Sequence, residues 1–257
     1  MDLKNINKHE RDDNIVFDEE PHIYYVSNNP IKTSVTTLVH QYFEKFESDR
    51  IIDNMMNSRY WYKNKYFGMT KEEIKDQWSN NGLLATTEGT KFHKTIEQYY
   101  NKWELAHPDT PEFGMFLEFA KDHENELTAY RTEWEIYDEK YDLAGSIDMI
   151  FKNNDGTYSI YDWKRTKEIK MKNGYRKHGL HEMLNYPDCN YIHYSLQLNI
   201  YKYMLETKYG LNIRDMYLVC CHPDYDKYKK IEVVDLQTEV QGILSKREVS
   251  TQSTEHH

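Results

Sequence analysis

The stretch of sequence that decides the fold is YDLAGSIDMIFKNNDGTYSIYDWK, residues 141–164. Two runs of alternating apolar and polar residues flank the turn sequence NNDG at 153–156, in which glycine tolerates a positive φ, so the stretch predicts a β-hairpin. Asp148 lies in the first predicted strand and Asp162 near the end of the second. Both strands are apolar enough to be mostly buried. Two ionised carboxylates there therefore require a compensating cation or hydrogen-bond donors.

A lysine follows the second carboxylate at the two-residue spacing that places both side chains on one face of a strand. Lys164 comes two residues after Asp162. Because side chains alternate along a strand, residues i and i+2 share a face, and the carboxylate and the ammonium lie at one site. The hairpin therefore predicts a site that combines acids, a metal ion and a lysine.

Two predicted helices outside the hairpin carry polar residues at one-turn spacing. His93 and Glu97 lie four apart in a predicted helix over residues 86–103, and Gln197 and Tyr201 lie four apart in one over residues 193–209. Each pair shares a helix face. A lone helical histidine is usually structural, and Gln197 and Tyr201 could equally serve to bridge helix and sheet.

Four short motifs occur in chain order around this site. They are GTKFHKTIE at 89–97, GSID at 145–148, DWK at 162–164 and QLNIY at 197–201. Together they resemble the PD-(D/E)XK nuclease superfamily and in particular its RecB-type exonuclease branch, which includes relatives of lambda exonuclease and of the mitochondrial genome maintenance exonuclease. They are similar to that branch's G-x-x-x-H-x-x-x-E helix, G-x-x-D strand, D-x-K core and Q-x-x-x-Y helix. Their order and placement argue against coincidence.

The resemblance implies an α/β fold: a restriction-endonuclease-like core in which helices flank a central mixed β-sheet, with an N-terminal helical wall. Two departures from the pattern carry information. Ile147 stands where the superfamily's name has proline, which is the branch's own variant. The chain also lacks the four cysteines of the iron–sulfur members, so we expect no cluster.

The implied chemistry is metal-dependent hydrolysis of phosphodiester bonds. Asp148 and Asp162 are the predicted carboxylate ligands of one or two Mg²⁺ or Mn²⁺ ions. By resemblance, His93 and the main-chain carbonyl of Trp163 complete the protein's share of the metal shell. A metal shell of mixed nitrogen and oxygen ligands suits Mn²⁺ as well as Mg²⁺, since imidazole favours the softer ion. Lys164 is predicted to position the attacking water.

Three further acids are candidates near this site. The resemblance makes Glu97 either a second-metal ligand or an orienting partner of the histidine. Family members often carry a glutamate in the strand before the hairpin, which here means Glu133 or Glu135, and either acid could simply be solvated.

Positive charge is concentrated in one segment of an otherwise acidic chain. The formal net charge is −10, which repels phosphate at long range. The predicted loop after the hairpin nevertheless holds seven basic residues against one acid, Glu168: Lys164, Arg165, Lys167, Lys170, Lys172, Arg176 and Lys177. We predict that the last six bind DNA phosphates. The alternative is a solvated charged loop.

The N-terminal part offers two further candidate DNA contacts. Ser34 or Thr36 caps a predicted helix whose free amides could hold a phosphate, and if that phosphate is terminal, digestion starts from the 5′ end. The alternative is that these hydroxyls only cap the helix. Residues 58–80 interleave aromatic rings with lysines and could stack on unpaired bases, although such rings often only form core.

The predicted organisation has four parts. Residues 1–13 and 248–257 are disordered tails, 14–85 form an N-terminal hairpin and helical elaboration, and 86–247 form the nuclease core. Three cysteines, an odd number with two adjacent, favour a reducing compartment. With no predicted membrane span or secretory signal, we expect an intracellular protein of the cytoplasm or another nucleic-acid compartment.

The predicted function is a metal-dependent deoxyribonuclease, and specifically an exonuclease that acts on DNA ends or single strands in replication, recombination or repair. One alternative is a structure-selective endonuclease with the same site. Another is a non-catalytic nucleic-acid-binding module with a structural metal, but such a module needs no lysine beside a ligand carboxylate. Polarity, DNA versus RNA preference and oligomeric state stay open.

Overall fold

The computed structural model describes residues 2–254, with side chains up to Arg247. Within that range the chain forms nine strands and seven α-helices. The strands are Ile15–Asp18 (β1), Ile23–Val26 (β2), Asn29–Pro30 (β3), Thr33–Ser34 (β4), Leu127–Asp138 (β5), Leu143–Asn153 (β6), Tyr158–Lys164 (β7), Ile213–Cys220 (β8) and Lys229–Glu232 (β9). The helices are Leu3–Ile6 (α1), Val35–His40 (α2), Ser48–Met56 (α3), Lys71–Asn101 (α4), Pro111–Asp122 (α5), Asn190–Lys208 (α6) and Gln237–Thr254 (α7).

A six-stranded mixed sheet forms the centre of the molecule. Its strand order is β4-β6-β7-β8-β9, and β5 pairs with β6 as well. Strands β5 and β7 run antiparallel to β6, whereas β8 runs parallel to β7 and β4 runs parallel to β6. The predicted α/β class with a central mixed sheet flanked by helices is confirmed.

The predicted hairpin is present as β6 and β7. Residues 149–152 of β6 pair antiparallel with residues 158–161 of β7. Gly156 adopts a φ of +85° in the connection, where a side chain would be strained. The Oδ1 atom of Asp155 accepts a hydrogen bond from the amide of Thr157, at 3.0 Å. Local turn chemistry therefore sets the register that carries both aspartates.

Helices cover both faces of the sheet. Helices α4 and α5 pack phenylalanines such as Phe116 and Phe119 against Trp163 and other sheet residues. Helices α2, α6 and α7 pack on the opposite face. Strand β8 serves both layers, because Leu218 packs into one core and Val219 into the other.

Helix α4 is longer than the sequence predicts. The motif helix is predicted to begin at residue 86, yet α4 begins at Lys71 after a capping box formed by Thr70 and Glu73. Residues 79–87 are exposed on every side. The predicted start is wrong because weak helix formers such as Gly82 occupy this middle stretch, while packing at both ends holds the helix together.

A small separate core lies at the start of α4. Ile52 of α3, Tyr66 and Ile74 are buried together. The Nε1 atom of Trp78 donates a hydrogen bond to the Tyr66 hydroxyl at 2.7 Å. We call residues 48–78 the helical lobe. The predicted stacking aromatics divide here into these packed rings and three rings that are more than half exposed, Tyr60, Tyr62 and Phe67.

The N-terminal residues are ordered and packed, so the predicted disordered tail is wrong for residues 2–13. Leu3 is buried, and its amide donates to Oδ1 of Asn101 at 2.8 Å. Asp12 is also buried. Its carboxylate accepts hydrogen bonds from Arg131 at 2.7 Å and from the indole of Trp134 at 2.8 Å. These partners lie about a hundred residues or more away in sequence, where a local pattern gives no signal.

The other predicted boundaries shift as well. The division between residues 85 and 86 falls inside α4, and β4 already belongs to the central sheet. Helix α7 continues to Thr254, inside the predicted C-terminal tail, and residues 255–257 lie outside the described part. Among the described helices, none is both long and apolar enough to cross a bilayer.

Candidate active site and metal centre

The candidate site lies where β6 and β7 diverge. Their pairing ends at Met149 and Tyr161, so Asp162, Trp163 and Lys164 leave the β6 ladder. Across the gap, Oδ2 of Asp148 accepts a hydrogen bond from the main-chain amide of Trp163, at 2.9 Å. A side-chain carboxylate thus takes the place of a strand carbonyl, which brings the two predicted aspartates into one fork of the sheet.

Asp162 and Lys164 form a close ion pair inside this fork. The Lys164 Nζ and Asp162 Oδ2 atoms are 2.6 Å apart, and Asp162 is only 4% exposed. Burial raises the pKa of Asp162 to about 6 despite the opposing effect of Lys164. Burial alone would lower the pKa of Lys164, but Asp162 and Asp148 together raise it. Lys164 is therefore an ammonium at neutral pH.

His93 connects α4 to the fork. Its Nε2–H donates a hydrogen bond to the Trp163 carbonyl at 2.8 Å. The other ring nitrogen, Nδ1, lies 3.5 Å from Asp148 Oδ2 and 3.7 Å from Glu133 Oε1. Burial lowers the pKa of His93, but these two carboxylates outweigh it and raise the pKa to about 9. Because Nε2 is engaged by the Trp163 carbonyl, Nδ1 is the ring atom that a metal could bind, and the metal would replace the Nδ1 proton. The Trp163 carbonyl engages the histidine, and its predicted role as a metal ligand stays a prediction.

Glu133 joins the cluster through the pairing of β5 with β6. The register pairs Thr132 with Met149 and Trp134 with Ile147, so Glu133 lies opposite Asp148. Glu133 adopts a φ of +41°, an uncommon conformation for a non-glycine residue. Like charges directly opposite on a sheet repel each other, which calls for a cation between them.

The cluster fits a divalent metal ion. His93, Glu133 and Asp148 each offer one ligand atom, and these atoms lie within 4.8 Å of one another. Asp162 is not one of these three residues; its buried Oδ2 forms the ion pair with Lys164 and has no other hydrogen-bond partner among the described residues. One imidazole nitrogen and several carboxylate oxygens form a donor set suited to Mg²⁺ or Mn²⁺ rather than to a closed zinc site.

Glu97 lies near this cluster without joining it. It follows His93 by one turn of α4, and burial together with Glu133 raises its pKa. It lines a cavity of about 840 Å³, which also receives His93, Glu133 and Glu135. Its role as a second-metal ligand or orienting partner stays a prediction, as does any role of Glu135.

The trailing helix motif supports the strand that carries Asp148. A Cβ atom built on Gly145 would lie 2.7 Å from the hydroxyl of Tyr201, so only glycine allows this approach. Tyr201 is 3% exposed because it packs behind β6, and its predicted contact with DNA stays a prediction. Gln197 is half-buried and donates to the Tyr201 hydroxyl at 3.4 Å. Its predicted DNA contact stays a prediction.

Tyr194 is a site residue that sequence reasoning misses. Its ring lies on α6, with the centroid 4.5 Å from Nζ of Lys164. This contact adds a cation–π interaction to the lysine's ionic one. Helical spacing offered a usable signal, because Tyr194 lies one turn before Gln197 on the same helix.

The predicted DNA-binding loop divides into paired and unpaired cations. Arg165 forms a hydrogen-bonded ion pair with the buried Glu112 at the start of α5, and its predicted phosphate contact stays a prediction. Lys167 pairs with Asp224 at 2.6 Å, and Lys177 pairs with Glu44 at 2.5 Å. Three cations of this loop, Lys170, Lys172 and Arg176, have no ionic partner among the described residues.

The predicted helix cap at the N-terminal side is present. Ser34 Oγ accepts a hydrogen bond from the amide of Thr37 at 3.1 Å and donates to its hydroxyl at 2.9 Å. Thr36 is exposed in the first turn of α2. The capping interpretation is thus sufficient for Ser34, and phosphate contacts by either residue stay predictions.

Comparison with known proteins decides the family. The family model of the PD-(D/E)XK nuclease superfamily matches residues 32–253, most of the chain. The chain belongs to the PD-(D/E)XK nuclease superfamily. The match extends from β4 into α7 and thus includes the helical lobe as well as the fork that holds Asp162 and Lys164. Membership in this superfamily implies a nucleic-acid substrate and divalent-metal chemistry.

Other comparisons add no functional detail to the superfamily assignment. No curated protein matched the chain. The chain is similar to the solved structure described as "Crystal structure of SSO0001", with 19% identity and a TM-score of 0.27. That similarity covers 52% of this chain, and the chain spans 56% of the length of the solved one.

Proposed function

We propose that this superfamily member is a metal-dependent deoxyribonuclease that degrades DNA from an end. The observation that carries the proposal is the buried Asp162–Lys164 pair, 2.6 Å apart, beside the three-residue cluster of His93, Glu133 and Asp148. A structural metal site has no use for a buried ammonium next to its ligands, because that charge competes with the ion. A hydrolytic site does, because the ammonium can hold a water or a phosphate oxygen beside the metal.

Asp148, Asp162 and His93 Nδ1 would hold the metal, with Glu133 as the further carboxylate within reach. A bound Mg²⁺ or Mn²⁺ would stabilise charge on the phosphate and lower the pKa of a water molecule. The remaining work falls to the chain's own groups. Trp163 fixes the ring of His93 through its carbonyl and the carboxylate of Asp148 through its amide. Such hydrogen bonds orient metal ligands before the substrate arrives.

Lys164 is the proposed water-positioning residue. Its ammonium lies between the Asp162 carboxylate and the ring of Tyr194, and its side chain is 17% exposed. These contacts restrict the ammonium to one position while leaving part of it accessible. A donor fixed in this way holds an attacking water in line with the phosphorus without a reorganisation cost during the reaction.

Action on DNA ends is supported by the resemblance to the RecB-type branch and by the exposed rings of the lobe. The histidine-bearing α4 motif and the Gln197/Tyr201 motif resemble those of the exonuclease branch. Tyr60, Tyr62 and Phe67 of the lobe are each more than half exposed and can stack on unpaired bases. A frayed end presents such bases without the cost of opening a closed duplex.

The test is a time course of cleavage on end-labelled linear DNA, covalently closed circular DNA and a matched single-stranded RNA. Each is incubated with Mg²⁺, Mn²⁺ or EDTA, and Asp162→Asn protein serves as the inactive control. We expect the linear DNA to be degraded in the presence of Mg²⁺ or Mn²⁺, and the closed circular DNA and the RNA to stay intact. Equal cleavage of closed circles would favour the endonuclease, and cleavage of RNA alone would change the substrate. Binding with no cleavage under any condition would favour the non-catalytic module.

A further inference from the structure

The tip of the basic loop displays an aromatic ring in solvent. A turn closes where the amide of Arg176 donates to the carbonyl of Asn173 at 3.2 Å, and the amide of Tyr175 donates to Oδ1 of Asn173 at 2.7 Å. Tyr175 is 86% exposed, the most exposed of the large hydrophobic side chains in the described part of the chain. Its ring therefore contributes little to the packing of the fold.

The turn itself is held in place. Asn173 Nδ2 donates to the carbonyl of Asp188 at 2.6 Å, and the amide of Asp188 donates to the carbonyl of Lys177 at 2.9 Å. Lys177 in turn forms its ion pair with Glu44, just before the helical lobe. The ring of Tyr175 thus projects from a fixed base. A ligand that binds it pays little for ordering the loop, which favours binding.

The surroundings of the ring suit a polyanion. Lys170, Lys172 and Arg176 surround Tyr175 in sequence, and none has an ionic partner among the described residues. In a protein with a net charge of −10, three unpaired cations around one exposed ring form a local site of opposite sign. Nucleic-acid single strands combine negative phosphates with flat bases, and aromatic rings stack on every base.

The loop is also connected to the candidate active site. The amide of Lys170 donates to Oδ1 of Asn190 at the start of α6, at 2.8 Å. Tyr194, one turn further along that helix, contacts Lys164. The rise from Asn190 to Tyr194 is about 6 Å. The first turn of α6 therefore links the start of this loop to the residue that contacts Lys164.

We propose that Tyr175 stacks on an unpaired base of the DNA strand engaged at the active site, with Lys172 and Arg176 holding the flanking phosphates. The inference rests on the proposed function and specifies its substrate as single-stranded or frayed DNA. Stacking by Tyr175 and phosphate contacts by its neighbours are separable, because only the phosphate contacts release counterions.

The experiment measures binding of full-length protein to a short fluorescent oligothymidylate in EDTA, where no metal supports cleavage, over a series of salt concentrations. The variants are Tyr175→Ala and Tyr175→Phe. Leu184→Ala removes another exposed apolar side chain from the same long segment and serves as the matched control. We expect Tyr175→Ala to weaken binding about 5- to 20-fold with an unchanged slope of log K against log salt. Tyr175→Phe and Leu184→Ala should stay within about twofold of the wild type.

Cleavage assays separate this proposal from the proposed function. With Mg²⁺ or Mn²⁺, Tyr175→Ala should raise KM for single-stranded DNA while kcat is retained. Unchanged binding and KM in Tyr175→Ala would overturn the stacking proposal even if the wild type cleaves DNA. Equal losses in Tyr175→Ala and Tyr175→Phe would overturn it too, since stacking needs only the ring. So would a change in self-association seen by sedimentation, which would make Tyr175 a protein contact. If the wild type shows no cleavage and the expected binding pattern is still observed, the proposed function fails and the stacking role stands.

Discussion

Lys164 and Lys172 lie in the same segment of the chain and differ in almost every physical respect. Lys164 is 17% exposed on its side chain, pairs with Asp162 at 2.6 Å and lies against the ring of Tyr194. Lys172 is exposed and has no ionic partner among the described residues. A buried charge is held at one point and acts on one atom, whereas an exposed charge acts through its field and is screened by salt. The comparison predicts where substitutions change chemistry, stability or binding.

The largest effect is expected at the Asp162–Lys164 pair, for which we propose a catalytic role. Asp162→Asn and Lys164→Ala should each lower kcat on linear DNA at least about 1000-fold, roughly 4 kcal/mol of transition-state stabilisation. The fold should persist, as judged by circular dichroism and by the unfolding temperature. Asp215→Asn is the matched control, because Asp215 lies near the other end of the parallel β7–β8 pair. Wild-type turnover in either site variant would refute the assignment.

A second buried pair should act on stability instead of catalysis. The Asp12 and Arg131 side chains are each 2% exposed and 2.7 Å apart. Asp12→Ala leaves Arg131 buried without its partner, so the free energy of unfolding should fall by about 3–5 kcal/mol. Urea unfolding at neutral pH measures it. Asp13→Ala, which removes a partner from the exposed Lys8–Asp13 pair, should leave the unfolding midpoint unchanged.

The same pair predicts a pH dependence. Burial raises the pKa of Asp12, but hydrogen bonds from Arg131, the His9 amide and Trp134 outweigh it, so the pKa is lowered in the folded protein. A carboxyl whose pKa is lowered on folding stabilises above its unfolded pKa of about 4 and loses that contribution as pH falls through its folded pKa. The stability gap between wild type and Asp12→Asn should therefore narrow below about pH 4. A gap that widens there would contradict the buried ion pair.

Two glycines of the sequence motifs should differ in how substitution by alanine changes stability, with smaller effects than those above. Gly145→Ala places a methyl group 2.7 Å from the Tyr201 hydroxyl, and overpacking of this kind costs about 1–3 kcal/mol of unfolding free energy. Gly89→Ala meets no atom within 4 Å on α4 and should stabilise by about 0.5–1 kcal/mol. Thermal unfolding of both variants gives the comparison. If Gly145→Ala stabilised the protein and Gly89→Ala destabilised it, Tyr201 would not pack behind β6.

The smallest effects on the fold are expected in the exposed loop. Replacing Lys170, Lys172 and Arg176 by glutamine should flatten the slope of log K against log salt by about two to three units. The unfolding temperature should not change. Lys167→Gln serves as a control, because Lys167 already pairs with Asp224 at 2.6 Å. A slope unchanged in the triple variant would mean that the loop is only a solvated surface.

The sequence predicts the hairpin and the Asp162–Lys164 pair well because both depend on local rules. Turn chemistry at residues 153–156 and the two-residue repeat of a strand place these groups without knowledge of the rest of the chain. Family resemblance then supplies His93, whose ring the structure brings against Trp163 and Asp148. The roles of these residues remain predictions that the substitutions above test.

The rest of the site depends on long-range pairing that local patterns do not encode. Glu133 meets Asp148 only because of the β5–β6 register, and the choice between Glu133 and Glu135 is open until that register is known. Arg165 belongs by sequence to the basic loop, yet its side chain pairs with Glu112 at the start of α5. A charge run therefore predicts net charge better than it predicts which cations are free.

Helix α4 has a mechanical consequence. Its 31 residues form a rod of about 46 Å, fixed to the central sheet near Asn101 and to the lobe near Lys71. A rotation of about 5° about the Asn101 end would carry Lys71 through about 4 Å and His93 through about a quarter of that distance. The lobe and the histidine thus move together, and the histidine moves less because it lies closer to the Asn101 end. A displacement of about 4 Å at the lobe therefore corresponds to a movement of only about 1 Å at the imidazole.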